Sequence, residues 1–303
     1  MTNWSSGMLD DIDKLLEKPT TDEIAKMTFD EMVKRKTFAY KAAVANGTNA
    51  ERLLSGLYKD PTHFIYELLQ NAEDTKATEV KIILENEKLV FSHNGHPFNN
   101  RDTWSILGID ESTKNEEEKI TQIGRFGIGF KAVFGICEIP KIYSGEFNFK
   151  IRNFYVPEKL EKKSEYDNNK TYIVLLFKEN DIQRIFNLIE NTLSKLNPDT
   201  ILFLRHIEKI DYSTPKFSGF FEKKRHTRNS NENEYIECDI LGRKGLEAKY
   251  YLFERPLKRN NKLISSIAYR INEEKTKIIS EEESTKLVVF FPTETNTFLK
   301  FKV

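Results

Sequence analysis

A helix that leads directly into a β-hairpin lies near residue 60 and sets the framework of the fold. After Pro61-Thr62, the stretch HFIYELLQNAED has the start signal and the apolar spacing of a helix. The next stretch, EVKIILENEKLVFSHNG, alternates apolar and polar residues on both sides of a turn at Glu85–Lys88, which is typical of two antiparallel strands. Two antiparallel strands are therefore expected to follow this helix directly.

The rest of the chain extends this pattern in both directions. Residues 9–17 and about 22–45 have helical apolar spacing, and so does the segment DIQRIFNLIENTLSKL. Residues 110–122 are polar and charged, which predicts a loop or lid. From about residue 200 the pattern is of short strands joined by charged turns. Because 303 residues exceed the roughly 100–200 that one core needs, we expect two packed modules.

Composition narrows the class of protein. Hydrophobic residues make up 39% and charged residues 31%, which suits a globular chain rather than a disordered one. No apolar run approaches the roughly 20 residues of a membrane span, and the N-terminus lacks a secretory signal, so a cytoplasmic location without a membrane partner is expected. The two cysteines show no paired spacing for a disulfide framework or zinc.

Charge gives no sign of a nucleic-acid partner. The chain has 47 basic and 47 acidic side chains, so it has no net field that would attract DNA or anionic lipid. The local cluster at Lys223–Arg228 is interpreted as a solvated loop.

Three polar side chains of the predicted helix suit phosphoanhydride chemistry. Glu67 and Asn71 are four residues apart and Asp74 follows three later, so all three project from one helix face. A carboxylate can orient and deprotonate water, and amide and carboxylate oxygens are the hard ligands that Mg²⁺ prefers. A solvated helix face has the same pattern, so these residues do not decide the function alone.

A glycine-rich segment provides a second candidate element. Gly124, Gly127 and Gly129 place three glycines in six residues before the apolar stretch AVFGI, and such a turn lets backbone N–H groups approach phosphate oxygens. Lys131 falls in the first helical turn, where a cation is unfavourable unless an anion is near, so it is either a phosphate contact or a surface lysine. The spacing is neither the dinucleotide fingerprint nor a P-loop.

The order of these motifs is recognisable as a set. ELLQNAED, HNGHPF, ESTK, IGRFGIGFKAVF and a strand beginning at Thr171 follow one another over about residues 60–210. The set resembles the GHKL (Bergerat-fold) ATPase superfamily, in the branch of the ninety-kilodalton heat-shock chaperones and sacsin. This resemblance implies a two-layer α/β sandwich with helices on one face of a mixed, mostly antiparallel sheet, followed by a smaller β-rich module. The implied domains are an N-terminal helical segment (1–58), an ATP-binding domain (59–211) and a transducer-like β module (212–303) that continues into a longer protein.

The resemblance also implies the roles of individual residues. Glu67 is the expected catalytic base, Asn71 the expected Mg²⁺ ligand, and ATP with Mg²⁺ the expected cofactors. The expected nucleotide-binding residues are Asn71, Asp74, His93, Asn94, Gly95, Ser112, Lys114, Gly124, Phe126, Gly127, Ile128, Gly129, Phe130, Lys131 and Thr171. One position departs from the family, because His93 stands where an aspartate usually accepts the adenine amino hydrogen bond. A neutral imidazole accepts more weakly than a carboxylate, so weakened adenine recognition is expected.

The function expected from the resemblance is Mg-dependent ATP binding with slow hydrolysis. Lid closure and homodimerisation would then drive a larger protein in a chaperone-like or defence-related role, with downstream domains as partners. Two alternatives remain open: a catalytically silent nucleotide-binding or protein-interaction module, and a DNA-processing ATPase of the mismatch-repair type. A histidine kinase is disfavoured because no histidine precedes His63 to accept the phosphoryl group.

Overall fold

The described part of the chain contains eight helical segments. The computed structural model describes residues 15, 17–47, 62–108, 129–230, 233–257, 260–280, 286–289, 291–296, 299 and 301–303. The α-helices in this part are α1 (Thr21–Lys26), α2 (Phe29–Ala45), α3 (Phe64–Asp74), α4 (Asn100–Ile106), α5 (Ile182–Ser194) and α6 (Asp199–Leu202). Two 3₁₀ helices span Gly129–Gly135 and Glu179–Asp181. The predicted lid at 110–122 and nearly all of the predicted helix at 9–17 lie outside the described residues.

Local capping explains where the first helices begin. Thr20 Oγ1 accepts a hydrogen bond from the Glu23 N–H, and the Glu23 carboxylate accepts one from the Thr20 N–H, which forms a capping box at α1. Thr28 caps α2 in the same way through the Glu31 N–H. These side chains satisfy backbone N–H groups that have no partner inside the helix.

The strands form one large sheet and one small hairpin. The large sheet contains β1 (Glu79–Leu84), β2 (Lys88–His93), β3 (Lys141–Ser144), β4 (Phe147–Arg152), β5 (Val156–Lys159), β6 (Thr171–Leu176), β7 (Lys209–Ser213), β8 (Ser218–Ser230), β9 (Asn233–Gly242), β10 (Gly245–Leu257) and β11 (Asn260–Ile271). Its strand order is β11-β10-β9-β8-β7-β1-β2-β6-β3-β4-β5. Strands β1 and β7 pair in parallel, and the other neighbours in this sheet pair antiparallel. Strands β12 (Lys286–Val289) and β13 (Phe291–Asn296) form the hairpin.

The predicted two-layer sandwich, with helices on one face of the sheet and a smaller β-rich module after it, is wrong. The structure is an α+β fold built on an 11-stranded mixed sheet with few helices. Residues 211 and 212, where the implied domains meet, lie inside β7. Strand β8 pairs with β7 from Ser213↔Ser218 to Lys209↔Glu222, so β7 is not an edge. The strands after residue 200 were predicted to be short, whereas β8, β10 and β11 have 13, 13 and 12 residues. The local pattern also does not indicate which strand a segment will pair with.

One hydrophobic core extends along most of this sheet. Buried residues of α3, the central strands and β8–β11 belong to the same cluster, which includes Leu68, Phe91, Ile210, Cys238 and Tyr250. A smaller cluster joins α1 and α2 to Trp104 of α4. No helix in the described ranges has both the length and the apolar character needed to cross a lipid bilayer.

The basic cluster at Lys223–Arg228 forms part of β8 rather than a solvated loop. Lys223 is buried, and its Nζ donates to the carbonyls of Ile201 and Leu204 at the end of α6. Arg225 pairs with Glu254 at 2.8 Å, and other members of the cluster also have acidic neighbours. These ion pairs neutralise the strand locally.

Candidate functional site

Helix α3 carries the three predicted site residues at the boundary between the core and the surface. Its apolar side packs into the core through Phe64, Ile65, Leu68, Leu69 and Ala72, all fully buried. Glu67, Asn71 and Asp74 are half-buried beside this apolar face, as the spacing predicted for a shared face. A half-buried carboxylate has a fixed position and still reaches solvent, which suits contact with a bound ligand.

The Glu67 carboxylate lies between two neighbours that orient it. His63 is one turn earlier on the chain, and its Nδ1 lies 3.3 Å from Glu67 Oε1. Gly129 lies on the other side, where a Cβ atom would stand only 1.9 Å from Glu67 Oε2. The glycine segment and the helix are therefore in direct contact, although 62 positions separate Glu67 from Gly129 in the sequence.

Most of the predicted phosphate-binding turn lies outside the described residues. The predicted site residues concerned are Ser112, Lys114, Gly124, Phe126, Gly127 and Ile128. Gly129 starts a 3₁₀ helix that continues to Gly135, and the Phe130 side chain is buried in the core. The described end of the segment is thus anchored by Phe130 while its backbone faces Glu67.

Lys131 is a buried lysine that donates to backbone carbonyls, not a solvated surface lysine. Its Nζ donates hydrogen bonds of 2.6 Å to the carbonyls of Ile106 and Phe154, and the side chain is fully enclosed. Burial holds the pKa of this amine well below its usual range, and the nearby Lys36 lowers the pKa further. A phosphate contact by Lys131 remains a prediction, and it requires the ammonium group to leave these two carbonyls.

A second polar cluster lies where three neighbouring strands meet the end of α3. His93, the last residue of β2, stands opposite Thr171, the first residue of β6, and Thr171 stands opposite Ser144, the last residue of β3. Directly opposite residues present their side chains on the same sheet face. The hydroxyls of Ser144 and Thr171 lie 2.6 Å apart, and the Phe98 N–H donates to Ser144 Oγ at 2.9 Å. The sheet therefore brings together two residues that were predicted to bind the nucleotide base.

The His93 ring is held from one side by its own turn. The Gly95 N–H donates to Nδ1 at 3.2 Å, and the hydroxyl of Thr75, the residue after α3, is 3.5 Å from the same nitrogen. The ring is only 4% exposed, and this burial lowers its pKa to about 4, with a smaller contribution from His96. His93 is consequently neutral at pH 7.

Asn94 and Gly95 secure the turn that carries His93. Asn94 Oδ1 accepts hydrogen bonds from the N–H groups of Thr78 and Glu79, both at 2.9 Å, and its Nδ2 donates to Thr78 Oγ1. At Gly95 a Cβ atom would stand 2.1 Å from Thr75 Oγ1 and 2.8 Å from the Thr75 carbonyl oxygen. These residues join the end of α3 to β1 and β2, and the Asn94 amide is already occupied by this backbone.

Two residues of this region were missed by the sequence analysis. The buried Glu73 carboxylate accepts hydrogen bonds from the N–H groups of Arg205, His206 and Ile207 at 2.6, 2.8 and 3.0 Å. A carboxylate four residues after Leu69 on the apolar helix face was a signal for a buried partner. Ser144 had no such signal, because its role depends on the pairing of β3 with β6, which lie 27 residues apart at Ser144 and Thr171.

Comparison with known proteins finds similarity over parts of the chain. Residues 51–168 match the family described as the Sacsin domain. The chain is 30% identical over 193 residues to the Arabidopsis thaliana protein NO VEIN and 31% identical over 106 residues to human sacsin. It is also 33% identical over 97 residues to a Herpetosiphon aurantiacus protein inferred to be the type II restriction enzyme HgiDII.

The matched regions are small parts of these relatives. They cover 55%, 29% and 30% of this chain, and 7%, 2% and 16% of NO VEIN, sacsin and HgiDII respectively. Among solved structures, the crystal structure of the N-terminal domain of a DNA repair protein aligns with a TM-score of 0.45 and 13% identity, over 84% of this chain and 86% of that chain. A likeness this low supports no inference about function.

Proposed function

Because residues 51–168 match the Sacsin domain, we propose that this chain binds a purine nucleoside triphosphate with Mg²⁺, as the resemblance implies for ATP, and slowly hydrolyses the terminal phosphoanhydride. The contact between Gly129 and Glu67 carries this proposal. It joins a glycine backbone that suits phosphate oxygens to a carboxylate that suits an attacking water.

The geometry around Glu67 suits a general base. One carboxylate oxygen lies 3.3 Å from His63 Nδ1, and the other faces Gly129, so the group points toward the glycine backbone. In the proposed step Glu67 takes a proton from water, the water oxygen bonds to the γ-phosphorus, and the bond from that phosphorus to the β–γ bridging oxygen breaks, releasing the nucleoside diphosphate. A second residue that supplies positive charge in trans is expected from the resemblance, so turnover by this chain alone is slow.

The residues available for Mg²⁺ fit its usual nucleotide-bound form. In the described part of the chain, no three side chains of His, Cys, Asp or Glu converge to form a metal cage. Mg²⁺ in nucleotide sites needs only one or two protein oxygen ligands, because phosphates and waters complete its shell. Asn71 would supply such an oxygen, with Asp74 one turn later, and the ion would neutralise charge on the phosphates.

The base of the nucleotide is assigned to the cluster of His93, Thr171 and Ser144. This cluster touches the end of α3 through Thr75, while Glu67 lies two turns earlier on the same helix. A nucleotide lying along α3 would therefore place its base and its terminal phosphate at opposite ends of the helix. Homodimerisation, lid closure and chaperone-like or defence-related work of a longer protein are further proposals that rest on the resemblance.

The test compares turnover with binding in matched variants. Glu67→Gln should retain nucleotide binding and lose hydrolysis by about a hundredfold or more, the scale of a general base. Glu85→Gln, an exposed residue paired with Lys88 at the distant β1–β2 turn, should hydrolyse at the wild-type rate. Rapid hydrolysis by Glu67→Gln would contradict the assignment of the base.

Binding is tested separately with a non-hydrolysable ATP analogue by calorimetric titration. Asn71→Ala should remove the dependence of affinity on Mg²⁺, because the amide oxygen is the proposed protein ligand. Saturable binding without hydrolysis would mean that the chain is a nucleotide-binding module with no ATPase activity.

Because one relative is inferred to be a restriction enzyme, the chain should also be incubated with plasmid DNA and Mg²⁺. Nucleotide-independent cleavage of that DNA would replace the ATPase proposal.

A further inference from the structure

The hydrogen bonds around His93 determine which of its nitrogens carries the proton. The Gly95 N–H is a donor, so Nδ1 must be the acceptor and cannot carry a proton of its own. The Thr75 hydroxyl donates to the Ala72 carbonyl at 2.9 Å and lies farther from Nδ1, at 3.5 Å, so the Gly95 N–H at 3.2 Å decides the assignment. The neutral ring therefore carries its proton on Nε2, an assignment that follows from the surrounding network.

The Nε2–H group is the unused donor of this ring. No residue in the described part of the chain accepts a hydrogen bond from it. The His93 side chain is 4% exposed, and Nε2 is not among the fully buried polar atoms without a partner, so this N–H lies where the ring still reaches solvent. A ligand that supplies an acceptor there would replace water as its partner.

The neighbouring hydroxyls hold the strands beside this ring. Ser144 Oγ accepts the Phe98 N–H, and one hydroxyl proton lies between Ser144 and Thr171. Both residues are enclosed, at 1% and 0% exposed, so the His93 Nε2–H is the donor that the cluster presents to a base edge. The aspartate usual in the resembling family would present an acceptor there.

Purine bases differ in what they present at position 6. Adenine has an amino group there, which donates, whereas guanine and hypoxanthine have a carbonyl oxygen, which accepts. Adenine could offer N1 as an acceptor only by shifting along its edge, which would move its sugar and phosphates. We propose that His93 makes the site select nucleotides with a 6-oxopurine base over adenine nucleotides, with Nε2 donating to O6.

This inference rests on the proposed nucleotide site and is tested with nucleoside diphosphates, which cannot be consumed by hydrolysis of a γ-phosphate. The wild-type chain is titrated calorimetrically with GDP, IDP and ADP in the presence of Mg²⁺. GDP and IDP share O6 but differ in the 2-amino group, so tighter binding of both by about tenfold over ADP isolates the O6 contact.

A variant reverses the hydrogen-bonding character of the position. His93→Asp presents an acceptor and should shift the preference toward ADP by about tenfold or more. The control is His96→Asp, which changes an exposed histidine three residues away and should leave the wild-type preference intact.

The outcomes separate the base assignment from the nucleotide site itself. If ADP binds wild type as tightly as GDP and IDP, or more tightly, the 6-oxopurine inference is overturned and the nucleotide site stands. If none of the three binds either wild type or His93→Asp, the nucleotide site is overturned together with the inference. The wild-type comparison decides the question even if His93→Asp does not fold.

Discussion

At the scale of single residues, a substitution at Gly129 distinguishes an effect on catalysis from an effect on stability. The φ angle of Gly129 lies outside the left-handed region, so alanine can adopt the same backbone conformation. The new Cβ would lie only 1.9 Å from Glu67 Oε2, so that oxygen would have to move. Displacing the end of a flexible side chain costs little stability and disturbs a positioned carboxylate considerably. Gly129→Ala should therefore lower kcat by at least about tenfold with a nearly unchanged melting temperature.

The control for that prediction lies in the same 3₁₀ helix. A Cβ at Gly135 would meet nothing within 4 Å, so Gly135→Ala should change neither kcat nor melting temperature. Steady-state hydrolysis and thermal unfolding measure the two quantities. Wild-type turnover in Gly129→Ala would show that the position of Glu67 does not limit hydrolysis.

His93 should make the stability of the protein depend on acidity. Its pKa is about 4 in the folded chain and about 6.5 when unfolded, so the unfolded state binds more protons between these values. The stabilisation is complete above about pH 6.5 and is lost as pH falls toward 4, by up to about 3 kcal/mol. Urea unfolding near pH 7 and pH 4.5 should show a smaller pH dependence for His93→Gln than for wild type.

The pH prediction has a matched control in His96. Its side chain is half exposed and can be hydrated in either protonation state, so His96→Gln should retain the wild-type pH dependence. If the pH dependence of stability decreased equally in His93→Gln and His96→Gln, the dependence would belong to the whole turn and not to His93 alone.

Lys131 distinguishes a structural amine from a phosphate contact. Lys131→Met would leave the carbonyls of Ile106 and Phe154 without their donor, so the free energy of unfolding should fall by about 1–3 kcal/mol. Nucleotide affinity should be unchanged if those carbonyls are the lasting partners. Lost affinity with full stability would instead support the phosphate contact, and the exposed Lys162→Met serves as the control.

At the scale of elements, α3 is tied to the chain between α6 and β7 by a single carboxylate. Glu73 accepts three backbone N–H groups from residues 205–207, and all three bonds are charge-assisted. Glu73→Gln replaces one acceptor oxygen by a donor that faces an N–H, so unfolding should require about 2 kcal/mol less. Chemical unfolding checks this against Glu87→Gln, whose side chain is exposed; equal stabilities would mean that the carboxylate does not anchor the segment.

Features that depend on residues close together in the sequence could be predicted, and features that depend on distant residues could not. The face of α3, the hairpin β1–β2 and the HNG turn were predicted from local periodicity and turn residues. The resemblance gave Glu67 and Gly129 roles in one nucleotide site, but their direct contact was not predicted, because the 62 positions between them carry no local signal. The partners of Lys131 and the pairing of Ser144 with Thr171 depend on strand registers that distant segments determine together.

At the scale of the whole molecule, the continuous sheet predicts a single unfolding unit. Residues of β8–β10 share one core with α3 and the central strands, so neither part can lose its structure without exposing the other. In a Cys238→Ala variant, thiol labelling of the buried Cys137 reports the part around α3 and the central strands, and in a Cys137→Ala variant, labelling of the buried Cys238 reports the other part. The two signals should give the same urea midpoint, and earlier labelling of Cys238 would indicate a separable C-terminal unit.

Glu73 and Lys223 connect the long strands of the sheet to helices α3 and α6. Strand β8 has 13 residues, which at roughly 3.3 Å per residue makes an arm of about 40 Å. Lys223, the sixth residue of β8, donates to the carbonyls of Ile201 and Leu204 near the end of α6, and Glu73 joins residues 205–207 to α3. The seven residues of β8 beyond Lys223 span about 23 Å, so a tilt of about 5° transmitted through these contacts would move their far end by about 2 Å.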